Sequence, residues 1–145
     1  MAVLASNWQF WAFLAAIFAA LTAIFAKVGV ENINSDLATF LRTIVVVCAL
    51  GLLVWATGKM QDLSQVQPRT WVFLVLSGLA TGASWLCYFR AMQLGDASKV
   101  APVDKLSVVF VALIAAAFLG EKLSAAGWGG VALIAAGAVI LAVAP

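Results

Sequence analysis

The sequence predicts an all-α membrane protein with five transmembrane helices. Of its 145 residues 66% are hydrophobic and only 10% are charged, and the mean hydropathy is +1.12. Soluble domains carry about 45–50% apolar and about 25% charged residues, and a soluble domain of this size has too little interior to bury such an excess. The apolar residues also form five runs close to the length of about 20 that crosses a bilayer. These runs lie at about 8–26, 37–57, 71–94, 100–119 and 125–143.

The first two runs have recognisable ends. No Lys or Arg precedes Lys27, and the apolar stretch is too long for the core of a signal peptide. We therefore expect the first run to be a retained helix. The connection at 31–36 separates it from the second run, and Ser35 or Asp36 is placed to cap the second helix.

The remaining three runs are separated by turn-forming residues. The longest loop covers 58–69, and Pro68 suits the opening turn of the third helix. A short hinge at 95–98 precedes the fourth run, and Ser124 is a predicted N-cap of the fifth. All 145 residues are accordingly expected to form a single five-helix domain.

The composition excludes several classes of function. There is no histidine, and the two cysteines, Cys48 and Cys87, lie in apolar runs as expected of small buried hydrophobic residues. Zinc, haem, iron–sulfur and nucleophile–histidine sites are therefore not expected. The net charge of +2 is too small and too scattered for a nucleic-acid interface. We expect no enzymatic activity, no cofactor and no metal.

The odd number of spans places the two chain ends on opposite sides of the membrane. Basic residues give no clear orientation by the positive-inside rule, since the loops and the span edges favour opposite directions. Many transporters consist of two repeats of inverted topology, with the substrate site at their interface. A single repeat with an odd number of spans regains that symmetry only by pairing with an oppositely inserted copy. The span count therefore predicts an antiparallel homodimer. A parallel homodimer or a heteromer is the competing interpretation.

Five ionisable side chains lie within or at the edges of the predicted spans: Lys27, Arg42, Arg90, Asp104 and Lys105. Charged groups within a membrane span cost free energy, so their presence calls for an explanation. In a helix hairpin, residues equidistant from the turn are neighbours, so Arg90 can reach Asp104. In a structural interpretation, Lys27 and Arg42 extend to the interface and Arg90–Asp104 locks the hairpin. In a functional interpretation, all five line the route to a substrate site.

The functional interpretation has two chemical consequences. Four cations against one anion favour a substrate that carries a carboxylate or phosphate, while Asp104 could hold an amine or a transported proton. Trp85 and Tyr88 share one face of the third helix and suit the wall of a cavity for a small amphipathic metabolite. Packing of this aromatic face against neighbouring helices is the alternative.

Several motifs between residues 85 and 142 are similar to those of a known family. They are an aromatic-rich third helix, Ala-Ser-x-Val-Ala-Pro at 97–102, Leu-Gly-Glu at 119–121, and a glycine-rich last helix with Leu-Ile-x-x-Gly at 133–137. Together they resemble the EamA-like domain of the drug/metabolite transporter superfamily. The match elsewhere rests on the number and order of spans, and the chain resembles the short five-helix branch with one repeat of an inverted-repeat fold.

The resemblance implies an exporter of a small-molecule metabolite or drug that works by alternating access. Its partners would be the lipid bilayer, an inverted second copy and a coupling proton or ion, in a bacterial-type inner cell membrane. The first span lacks the acidic residue used by the four-helix multidrug branch, and Glu121 is interpreted as a loop cap. A non-transporting subunit of a larger membrane complex is the alternative function.

Overall fold

The computed structural model describes residues 7–144, and all regular secondary structure in this range is helical. Its elements are α1 (Trp8–Gly29), α2 (Ser35–Ala56), a 3₁₀ turn (Leu63–Gln65), α3 (Pro68–Leu94), α4 (Ala97–Asp104), α5 (Ser107–Ile114), a π-helical segment (Ala115–Leu119) and α6 (Ala125–Val143). Helices α1, α2, α3 and α6 are each long and apolar enough to cross a membrane, as is the combined segment Ala97–Leu119. The predicted all-α fold with five spans is confirmed.

The N-termini of the helices are capped as predicted in two cases and differently in a third. Helix α3 begins at Pro68, and the Ser124 hydroxyl caps α6 by accepting the Gly127 N–H at 3.1 Å. The prediction of Ser35 or Asp36 as the cap of α2 is wrong. Asn34 has the extended backbone that an N-cap requires, and its side chain accepts the N–H groups of Asp36 and Leu37. Ser35 and Asp36 already lie in the first turn.

The connection between α2 and α3 is held by local hydrogen bonds. Gly58 has a φ of +64°, which glycine adopts without strain. The N–H groups of Gly58 and Lys59 return to the carbonyls of Trp55 and Val54, in the geometry of a Schellman motif. Further along, the Ser64 N–H donates to the Asp62 carboxylate at 2.9 Å, and this bond holds the pKa of Asp62 below its usual range. The loop also forms an open polar pocket of about 790 Å³.

The fourth span is interrupted, where the sequence predicted one continuous run. Pro102 lies inside α4 and has no N–H to donate. The break follows at Lys105 and Leu106. The Lys105 N–H is shared between the carbonyls of Ala101 and Pro102, and the Leu106 N–H donates to the carbonyl of Val103, three residues back. Helix α5 then passes into the π-helical segment, which ends at Leu119 and is followed by Gly120 with a φ of +68°. Within the apolar length of the span, backbone hydrogen bonds to carbonyls three residues back thus replace part of the α-helical pattern.

The chain packs as two compact units. The first is Ala26–Gln93, and the second combines the described residues before Ala26, 7–25, with residues 94–144. In the second unit, α4 and α5 pack against α6, and the Lys99 ammonium donates to the Ala144 carbonyl at 2.7 Å. The single five-helix domain stays a prediction.

Large apolar side chains are exposed along every span. In the most apolar 18-residue stretch of each span, no more than 11% of the residues are buried within the chain. Surfaces of this kind are stable in lipid and not in water, so the chain is a multi-pass membrane protein. The expected burial of Cys48 and Cys87 is wrong, because both are exposed free thiols. Lipid solvates a small apolar side chain as well as a protein interior does.

Candidate functional site

Helix α2 carries a stripe of polar residues within the membrane-spanning length. Ser35, Thr39 and Thr43 are spaced by four residues, and Arg42 lies beside them on the helix surface. The Thr39 hydroxyl donates to the Ser35 carbonyl at 2.8 Å, and the Thr43 hydroxyl donates to the Thr39 carbonyl at 2.7 Å. Their own helix therefore satisfies these hydroxyls, while the guanidinium of Arg42 has to find its contacts on another helix.

Those contacts are two aromatic rings of α3. The guanidinium carbon of Arg42 lies 3.8 Å from the centroid of the Trp85 ring and 5.5 Å from that of Phe89. Trp85 and Phe89 are four residues apart and therefore adjacent on one helix face. Phe89 is buried, and Tyr88 beside it is half-buried. We call Arg42, Trp85 and Phe89 the arginine–aromatic cluster.

One donor atom of this cluster is enclosed and unpaired. Nη1 of Arg42 is shielded from solvent and has no hydrogen-bond partner among the described residues. Every residue of the compact unit Ala26–Gln93 is described, and no carboxylate of that unit lies within ion-pair distance of Arg42. Buried polar groups of folded proteins are nearly always hydrogen-bonded, so an unpaired guanidinium donor calls for an explanation.

The last turn of α3 is tied to the connection between α1 and α2. The Lys27 ammonium donates to the Met92 carbonyl at 2.9 Å, and the Gln93 amide donates to the carbonyls of Ile33 at 3.0 Å and Val30 at 3.4 Å. Carbonyls in a last helical turn lack intrahelical partners and attract cations. Lys27 thus has a structural contact in addition to its predicted place in the site.

The predicted partners Arg90 and Asp104 have local contacts. Arg90 is exposed, and its guanidinium donates to the Gln93 side-chain carbonyl at 2.9 Å. Asp104 lies next to the break in the fourth span and pairs with the adjacent Lys105 at 3.1 Å. Both side chains of that pair are substantially exposed, so their attraction adds little to stability. The Arg90–Asp104 pair stays a prediction.

The structure brings together some of the predicted residues and adds others. Arg42 and Trp85 are in contact, and Tyr88 lies on the same side of α3. Phe89 and Gln93 were not predicted. Phe89 lies four residues after Trp85, and Gln93 lies four residues after Phe89. This spacing was a usable signal, because it continues the same helix face toward the end of α3.

The described residues offer no cluster of three or more His, Cys, Asp or Glu side chains that could hold a metal ion. The chemistry of the cluster is that of a cation with aromatic surfaces. A guanidinium stacked on rings keeps the N–H groups along its edge available, and carboxylates or phosphates fit that edge with two parallel hydrogen bonds.

Comparison with known proteins agrees with this description. The EamA-like transporter family matches residues 6–143. A protein of Sinorhizobium sp. named "Uncharacterized transporter in cobO 3'region" is 62% identical over 140 residues, which cover 97% of this chain and 99% of that protein. No solved structure matches the chain. Because the family match and the relative both extend over almost the whole sequence, the chain belongs to the EamA-like transporter family and is a membrane transporter.

Proposed function

We propose that the protein exports a small polar or amphipathic metabolite or drug by alternating access in the cell membrane. The observation that carries this proposal is the arginine–aromatic cluster. It holds a cation inside a membrane span, against rings, with a buried donor that the described chain does not satisfy. Charged groups within membrane spans cost free energy, and they commonly mark substrate or ion pathways and binding sites.

The proposed roles of the side chains follow from their surroundings. Arg42 binds a polar group of the substrate, while Trp85 and Tyr88 contact its apolar part. Lys27 and Arg90, bonded to neutral oxygens of the same unit, contribute positive potential near the cluster.

The second compact unit provides a separate polar group. Asp104 and Lys105 lie at the interruption of the fourth span. Many secondary transporters bind substrates or coupling ions where a transmembrane helix is discontinuous. We propose that Asp104 and Lys105 take part in binding, with Asp104 as the acceptor of a coupling proton or ion.

The working unit is proposed to be an antiparallel homodimer. Five spans make one repeat, and the wide apolar exposure of the spans leaves ample surface for a second copy as well as for lipid. Reporter fusions to the carboxyl end of the chain test the orientation. Signals from both sides of the membrane are expected, and a single orientation would overturn self-pairing in inverted topology.

Transport is tested with the purified protein in phosphatidylcholine vesicles. The measurement is uptake of labelled anionic, cationic, zwitterionic and neutral metabolites, with empty vesicles as the control. Uptake of at least one class is expected, and Asp104→Asn is expected to remove its dependence on a proton or ion gradient. Absence of uptake for every class would favour the non-transporting subunit. If Asp104→Asn and Arg90→Ala leave uptake intact while thermal stability falls, both residues are structural.

A further inference from the structure

Arg42 lies within the membrane-spanning length of α2 and not at its end. Arg42 is seven residues after the first residue of α2, or about 10 Å along the helix. Trp85 is nine residues before the end of α3, or about 14 Å from that end. These two helix ends lie on the same side of the membrane, because α2 and α3 are consecutive spans of opposite direction. The guanidinium is nearer to the deeper ring, Trp85, than to Phe89.

The orientation of the guanidinium determines what it can still bind. Its central carbon lies 3.8 Å from the centroid of the Trp85 ring, so the side of the guanidinium that faces this ring is occupied. The N–H donors of a guanidinium point outward in its plane, and Nη1 is the enclosed donor without a partner. A neutral acceptor would satisfy the hydrogen bond and leave the charge uncompensated, since no carboxylate of the unit is within ion-pair distance. An oxyanion satisfies both requirements at once.

We infer that Arg42 is the anchor of an organic-anion site. The ligand class is a small molecule with a carboxylate or phosphate group attached to an apolar or aromatic part. The oxyanion binds to the edge of the guanidinium, and the apolar part lies against Trp85 and Tyr88. This inference rests on the proposed transport function in so far as the anion is the transported solute.

Binding is tested with a set of probes of similar shape and different charge. The purified chain is titrated in dodecyl maltoside with benzoate, phenyl phosphate, neutral benzamide and benzylammonium, and dissociation constants are obtained from thermal stability and tryptophan fluorescence. We expect benzoate or phenyl phosphate to bind at least about tenfold more tightly than benzamide, because a charge-assisted hydrogen bond is lost in the amide. Equal binding of benzoate and benzamide, or preference for benzylammonium, would overturn the inference.

Matched variants assign the effect to Arg42. Arg42→Lys keeps the charge but loses the planar fork of N–H donors. It is expected to weaken anion binding by about tenfold or more. Arg69→Lys is the control, because Arg69 also lies over a ring, Phe73, but is exposed at the start of α3. An equal effect of both substitutions, or of neither, would contradict the site. If Arg42→Lys does not fold, Trp85→Leu replaces it with the same expectation of weaker anion binding.

Lipid phosphate carries the same chemistry as a soluble phosphate, and vesicle composition separates the two sources. If phosphatidylglycerol stabilises the protein through Arg42 while benzoate and phenyl phosphate do not, the occupant is a lipid headgroup and the soluble-anion site is refuted. In the transport assay, uptake confined to cations or neutral solutes overturns the anion site and leaves the transport function standing. Anion binding through Arg42 without any uptake supports the site and refutes the transport function.

Discussion

Two arginines of the compact unit Ala26–Gln93 lie over aromatic rings, and their surroundings differ. Arg69 lies 5.8 Å from the centroid of Phe73, four residues later in the same helix, and both side chains are exposed. Arg42 lies over rings that belong to another helix, and its guanidinium carbon is 3.8 Å from the centroid of Trp85. Its Nη1 donor is enclosed and has no hydrogen-bond partner among the described residues. A guanidinium over an aromatic ring is thus an exposed contact at the start of α3. Toward the other end of α3, it is a contact between two helices in which one guanidinium donor is unpaired.

The two contacts are expected to differ in how much they stabilise the chain. A cation over an exposed ring contributes about 0.5–1 kcal/mol, and a desolvated one contributes about 2 kcal/mol or more. Arg69 can also exchange its ring contact for water or lipid headgroups. Arg42 is half-buried against two rings of α3, and its Nη1 donor is enclosed. A group that binds this donor is therefore coupled to the contact of Arg42 with Trp85 and Phe89.

The largest expected effect is on packing. Phe89→Ala removes a ring that is 4% exposed and supports Arg42. We expect a loss of about 2 kcal/mol in the free energy of unfolding, because a cavity remains while lipid offsets part of the transfer loss. The control, Phe73→Ala, removes a ring that is 60% exposed and should change stability by less than about 0.5 kcal/mol. Unfolding in mixtures of detergent and SDS measures the stability change of both variants. Equal losses of stability would contradict the distinction between the two rings.

The next effect is the coupling between each cation and its ring. A double-mutant cycle with Arg42→Met and Trp85→Leu should give a coupling energy of about 2 kcal/mol. The same cycle with Arg69→Met and Phe73→Leu should give about 0.5 kcal/mol or less. Thermal unfolding of the single and double variants supplies both energies. A larger coupling at Arg69 would show that burial does not strengthen the Arg42 contact.

The smallest expected effect concerns the hydrogen bonds at the end of α3. Gln93→Leu leaves the carbonyls of Ile33 and Val30 without the amide donor, which should reduce stability by about 1 kcal/mol. Thr81→Val is the control, because the Thr81 hydroxyl is exposed and bonds only within its own helix. Hydrogen exchange should quicken at the connection between α1 and α2 in Gln93→Leu alone. Unchanged exchange there would mean that other contacts hold this connection.

Local features were predictable from the sequence, and relations between helices were not. The five spans follow from the length of apolar runs, and Pro68 and Ser124 mark helix starts through the chemistry of their own turns. Asn34 was missed as a cap because three consecutive polar residues could each have filled that place. The break after Pro102 was missed because hydropathy does not depend on hydrogen-bond geometry.

The same division applies to the candidate site. By itself the sequence determined that the chain crosses the membrane five times, that it carries cations within its spans, and that Trp85 and Tyr88 share one helix face. The Arg69–Phe73 contact could also be foreseen, since four residues bring two side chains together in any helix. Only the tertiary structure decided that Arg42 lies on Trp85 and Phe89 with an unpaired donor. The reason is physical: helix periodicity specifies faces within one helix, whereas packing between helices decides which faces meet.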